Sequence, residues 1–327
     1  MTKKVSLAVA GLAALCLTAA APSPRTAPLV NKGSFLPTNQ MKIAVGALGA
    51  GGITHAQFDA VMDRMAAIYG PILAKSGKRL VINRLWDDPT VNASAQEQGD
   101  QDILNMYGGL ARHPAITMDG MALVACHEMG HHLGGAPKYG GTDWASNEGE
   151  ADYFATTKCL HRIFADPGAV AFTRPAGDEA YAAKACAKAY KGAGDRAICT
   201  RSAMAGMSVT SLFTDLGGDP AAHFDTPDPS VVSATNDEHP ASQCRLDTYF
   251  QGALCTKSWT IGMDDNDPTV GACSRSQGYT VGVRPLCWYK PAAGLTSVAS
   301  VPVQSAPKAS ALVTALQSKG EALWQGL

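Results

Sequence analysis

The chain has 327 residues, 46% of them hydrophobic, and a formal net charge of −1 at pH 7. That length allows one large domain or a domain with additions, and the absence of a basic excess argues against nucleic acid as a partner. Only 17% of residues are charged, and 33 glycines with 19 prolines suit a loop-rich exported protein.

Lys3 and Lys4 precede an apolar run from Val5 to Leu17, and Thr18-Ala19-Ala20 offers a small-residue cleavage site. This is the pattern of a secretory signal peptide over residues 1–20. The run is short for a bilayer, and no other segment reaches about 18 apolar residues, so no membrane span is expected in the mature chain. Residues 21–40 are rich in Pro, Ser, Thr and Lys and read as a linker. Thr54 can cap a helix through about Lys75, with Phe58, Val61, Met62, Met65, Ile68, Tyr69 and Ile72 as its core stripe and Pro71 as a candidate kink. Lys78 to Trp86 reads as a strand with Leu80, Val81 and Ile82 buried, and Ile103 to Tyr107 as a second strand.

Next comes His127-Glu128-Met129-Gly130-His131, an HExxH sequence. Imidazoles four residues apart share one helix face, one turn apart, close enough to bind the same metal ion. The approach, Met118 to Cys126, is apolar on nearly every face, so a buried helix is expected, capped by Thr117 and stopped at Gly134-Gly135. A buried helix carrying His, Glu and His needs something to offset their desolvation, and a metal supplies it. Zinc is the expected ion, one per chain, because it takes nitrogen and oxygen ligands and leaves one position open in catalytic sites. Glu128 is then the base that takes a proton from the metal's water. His132 lies about 100° around the helix from His131 and is not counted as a ligand.

Two patterns can supply the third ligand. A continued HExxHxxGxxH would need it at Pro137, which has no donor atom to give. The other pattern takes a glutamate from a second helix. Ser146 can cap such a helix, running to about Phe164 and ending before Asp166-Pro167-Gly168. Glu148 and Asp152 then share a face at i, i+4: Glu148 binds zinc, and Asp152 accepts the N–H of a ligand histidine. Glu150 points elsewhere and reads as a solvated side chain.

HExxH followed by Glu148-Gly149-Glu150-Ala151-Asp152, an E-x-x-A-D helix, resembles the gluzincin metallopeptidases, in particular the HtpX and CAAX-prenyl-protease type. Val91-Asn92-Ala93-Ser94-Ala95 with Asp102 to Leu110 resembles that family's N-A-x-A segment and edge strand. His239-Pro240 with Arg245 resembles its H-P-x-x-x-x-R element. The resemblance covers about Leu80 to Arg245. It implies an α+β fold, a mainly helical zincin-like domain with a small sheet, and zinc-dependent endopeptidase activity. It also implies that His239 hydrogen-bonds the developing oxyanion, that Arg245 positions that region, and that an extended polypeptide substrate lies along the unpaired edge of the strand near Ile103–Tyr107.

Farther on, Glu179 to Tyr190 and Arg196 to Leu216 read as helices, Asp225 to Asp237 as a loop, and a helix starting near Pro240 carries Arg245 and Tyr249. Cys126, Cys159, Cys186, Cys199, Cys244, Cys255, Cys273 and Cys287 lie outside the leader, an even number that predicts up to four disulfides without fixing their pairing. Leader and cysteines together point to the periplasm or the exterior. The expected organisation is a metallopeptidase domain over 41–255, a cysteine-containing extension over 256–290, and a linker with a terminal helix over 291–327. Two rival functions share these residues. One is a non-catalytic exported zinc-binding module, closed by a fourth ligand such as Asp143 or His161. The other is a zinc amidase acting on cell-wall material.

Overall fold

The computed structural model describes residues 33–292, apart from 49, 141 and 166–178. The leader, residues 21–32 of the linker, the stop at Asp166-Pro167-Gly168 and the tail from residue 293 lie outside the described residues. Within them the fold is α+β. Helix α1 spans His55–Ala74. Thr54 and Gln57 form a capping box, each side chain accepting the other's backbone N–H. Phe58, Val61, Met62, Met65, Tyr69 and Leu73 are its buried stripe, while Ile68 and Ile72 are only partly buried. Each fully buried apolar side chain contributes about 1.5–3 kcal/mol.

Three strands follow: β1 (Arg79–Leu85), β2 (Ala93–Gln98) and β3 (Gln101–Tyr107). Their order is β1-β3-β2, with β3 parallel to β1 and antiparallel to β2. Two expectations are corrected here. Leu80, Val81 and Ile82 are half-buried, because β1 is an outer strand and only one of its faces meets the core. The strand near Ile103–Tyr107 is the central one, hydrogen-bonded on both sides, so it has no free edge for a peptide. The outer strand near the site is β2.

A short turn of helix, α2 (Gly108–Ala111), leads to the buried helix α3 (Met118–Leu133), capped by the Thr117 side chain on the Gly120 N–H. Gly135 ends this segment in the left-handed region at φ +72°, where a side chain would be strained. Helix α4 (Glu148–Phe154) continues through a π-helical turn (Ala155–Cys159) into α5 (Leu160–Ala165). Its cap is Asn147 rather than Ser146: Asn147 accepts the Glu150 N–H at 3.0 Å, and the Ser146 hydroxyl instead donates to the Gly135 carbonyl at 2.7 Å. Then come α6 (Glu179–Ala189), α7 (Ala193–Gly217) and α8 (Ser242–Leu254). Among the described residues no helix is long and apolar enough to cross a membrane.

The eight cysteines among the described residues all pair: Cys126–Cys159, Cys186–Cys199, Cys244–Cys287 and Cys255–Cys273. Four disulfides and the lack of a membrane-crossing helix fit an extracellular or periplasmic protein. The first bond ties α3 to the π-helical turn beyond α4. The last two tie residues 256–290 back to α8, where Trp288 packs directly on Gly149 of α4.

Asp247 on α8 is buried and accepts from the Asp228 N–H and from Gln243. Burial pushes its carboxyl up to about 6. A folded value above the unfolded one means that the native state binds protons more tightly, so the ionised group costs stability at neutral pH and the cost fades as pH falls through 6 toward 4. Two pH units correspond to about 3 kcal/mol. Asp247→Asn is expected to remove that slope. The urea-unfolding free energy of the parent minus that of the variant should rise from pH 7 to pH 4, and a flat difference refutes the reading.

Candidate metal centre

Helices α3 and α4 cross at Gly130, where a Cβ would stand 2.8 Å from the Ala151 Cα. Only a glycine permits that approach, and the approach sets the first turn of α4 over the two histidines of α3. His127 Nε2 then lies 3.2 Å from Glu148 Oε2, and His131 Nε2 lies 3.7 Å from Glu148 Oε1. All three side chains are fully buried. They form a group able to hold a metal ion.

The outer nitrogens fix the tautomers. His127 Nδ1 donates to Asp152 Oδ1 at 2.6 Å, and His131 Nδ1 donates to the Ser146 carbonyl at 2.8 Å. A carbonyl oxygen accepts only, so the His131 proton sits on Nδ1 and the Nε2 lone pair faces the interior. His127 Nε2, His131 Nε2 and Glu148 Oε2 have no hydrogen-bond partner, although buried polar groups are almost always paired. Orphaned donor atoms converging on one point fit a metal. Burial holds the His131 imidazole at about 4, so it stays neutral as a ligand must be. At His127 burial opposes the charge, but Asp152 and Glu148 outweigh it and lift the ring to about 9. A cation there would compete with that proton. Burial likewise opposes ionisation of Glu148, yet His239 and the two histidines hold its carboxyl well below the usual range.

Glu128 lies between the histidines, fully buried, with both carboxylate oxygens unpartnered. Burial raises its carboxyl well above the ordinary value. Asp152 is held from three further atoms: Arg245 donates to both its oxygens at 2.8 Å, and the Tyr249 hydroxyl donates to Oδ1 at 2.7 Å. Arg245 therefore acts through Asp152 on the His127 ring. His239, more than a hundred residues beyond the motif, comes within 3.4 Å of Glu148 Oε2 through its Nε2.

The structure brings together every residue expected at this centre, and it revises one neighbour. Glu150 is not solvated: it is fully buried and paired through both oxygens with Arg284. Its partner lies 134 residues away, which no helical spacing reveals. His132 is a neighbour of the group, not a member: its ring stacks on Trp144 at 4.9 Å and lies 3.5 Å from Asp102. Two further contacts were not read from the sequence, that of Tyr139 and that of Tyr249, although Tyr249 was placed on the helix that carries Arg245. Tyr139 donates to Glu148 Oε1 at 2.5 Å from a loop with no periodic signal. Tyr249 stands one helical turn after Arg245, and that i, i+4 spacing was a readable clue. Compared with protein-family models, with curated proteins and with solved structures, the chain finds no match.

Proposed function

We propose that the protein is an exported zinc-dependent endopeptidase of the gluzincin kind, with His127, His131 and Glu148 as metal ligands and Glu128 as general base. The observation that carries this reading is the set of orphaned buried atoms on His127, His131 and Glu148, which converge without a protein partner, together with the buried and unpartnered Glu128 carboxylate from the same helix as the histidines. Three ligands, rather than the four of a closed structural site, favour an open catalytic position.

A zinc ion in this cradle would polarise a peptide carbonyl and lower the pKa of water toward neutrality. Glu128 would take the water's proton and deliver it to the leaving amine, so that the C–N bond breaks to a carboxylate and an amine. Asp152, fixed by Arg245 and Tyr249, keeps the His127 lone pair aimed inward. His239 already donates Nε2–H to a peptide carbonyl, that of Ser34, at 2.7 Å, which is the contact an oxyanion would need.

The test is metal analysis of the purified protein with hydrolysis of a quenched peptide library. Zinc without peptide hydrolysis, both in the native chain and in a Phe35→Gly chain that frees the space beside His127, would return the reading to a binding module or an amidase. His239→Ala is expected to lower kcat by about 10²–10³-fold, the usual cost of one oxyanion donor, with zinc content unchanged. A variant that loses zinc, or keeps full turnover, removes that role.

A further inference from the structure

Residues 33–36, read from the sequence as linker, run along the outer edge of β2 beside the metal centre. The Phe35 N–H donates to the Ala93 carbonyl at 3.0 Å, and the Ala95 N–H donates to the Gly33 carbonyl at 2.7 Å. The Leu36 N–H donates to Asn92 Oδ1 at 3.0 Å, and the Asn92 amide donates back to the Leu36 carbonyl at 3.1 Å. These are the contacts of an added antiparallel strand, made through main chain.

The same segment crosses both ligand histidines. A Cβ on Gly33 would stand 3.8 Å from the His131 ring. The Phe35 ring meets the His127 ring edge-on at 5.1 Å, tilts against Phe213 at 5.8 Å, and lies 4.7 Å from the Arg245 guanidinium. The two carbonyls in between are taken by the two groups at the cleft wall. His239 Nε2 holds the Ser34 carbonyl at 2.7 Å, and Arg245 Nη1 holds the Phe35 carbonyl at 2.7 Å. Past Leu36 the groove continues as a cavity of about 500 Å³ lined by Pro37, Phe213, Leu216 and Pro240.

We propose that residues 33–36 are a resident peptide seated in the substrate groove, blocking it, with the Ser34–Phe35 bond in the position of the bond to be cut. The ligand class follows from the seat. The groove takes an extended peptide with small residues up to that bond and a large aromatic residue directly after it, whose ring fills the space between His127, Phe213 and Arg245. While Phe35 is seated, His239 and Arg245 are engaged by the chain's own carbonyls and an incoming peptide has neither. The word substrate rests on the hydrolase reading; the peptide seat rests on contacts alone.

The experiment therefore reads binding. All chains carry Glu128→Gln, so nothing is turned over. The probe is a labelled peptide, Asn-Lys-Gly-Ser-Phe-Leu-Pro-Thr-Asn, the sequence of residues 31–39. Fluorescence anisotropy should show it binding the Phe35→Gly chain at least about tenfold more tightly than the chain with Phe35, with the milder Phe35→Leu between them. A probe with Gly in place of Phe should lose about the same factor. Because Phe35→Gly opens a buried pocket, the Phe-containing probe should also raise that variant's melting temperature and leave that of the Phe35 chain unchanged. Equal binding to all three chains, or equal binding of the two probes, overturns the proposal. Tight binding by Phe35→Gly with Glu128 restored, but no cleavage, supports the seat and counts against the hydrolase.

Discussion

Glu128→Gln is expected to keep the metal and the fold and to lose peptide hydrolysis by about 10²–10⁴-fold or more, the range of a general base. Glu128 makes no hydrogen bond in the native site, since both of its oxygens are buried and unpartnered. The amide therefore breaks no existing contact and occupies nearly the same volume. What it cannot do is accept and return a proton. Unchanged zinc content, an unchanged melting temperature and absent turnover are the joint signature. A variant that still hydrolyses peptides sinks the proposed chemistry, because the one other unpaired carboxylate beside the histidines among the described residues, Glu148, is taken up as a proposed ligand.

The second large effect separates two glutamates two positions apart in the chain and opposite in role. Glu148→Ala is expected to reduce metal content to background after dialysis, because it removes one of three ligand side chains. Glu150→Ala should retain the metal and lose stability by about 3–5 kcal/mol, because it leaves the Arg284 guanidinium buried without its counter-charge. Metal content and thermal melting, measured on both variants, decide the matter. Metal loss in Glu150→Ala with retention in Glu148→Ala would mean that the ligand assignment on α4 is wrong. Arg284 is also why Glu150 can be ionised at such depth: burial raises its carboxyl and the guanidinium opposes that rise.

Much of the centre was legible in sequence because helices are periodic. Four residues carry a chain through just over one turn, so His127 and His131 share a face, as do Glu148 and Asp152, whatever the rest of the molecule does. The apolar approach to His127 marked α3 as buried, and the stripe of α1 marked its core face for the same reason. Strands offered less. β2 carries small and polar residues, Ala93-Ser94-Ala95-Gln96-Glu97-Gln98, with no apolar alternation, so neither its existence nor the central place of β3 could be read locally.

The sequence by itself picked out the candidate metal-binding pair, the proposed base, the candidate third ligand and the helices that carry them, because each depends on spacings within one element. Only the tertiary structure decided which distant groups meet them. Arg284 on Glu150, and Arg245 with Tyr249 on Asp152, are contacts made by long-range packing, and Tyr139 reaches Glu148 from the preceding loop; in each a buried charge takes its partner from whichever segment the fold brings alongside. The same holds for Gly33-Ser34-Phe35-Leu36. Nothing in four residues of apparent linker says that a free strand edge awaits them, and their place is set by the unpaired N–H and C=O groups of β2, which must be satisfied once they are buried.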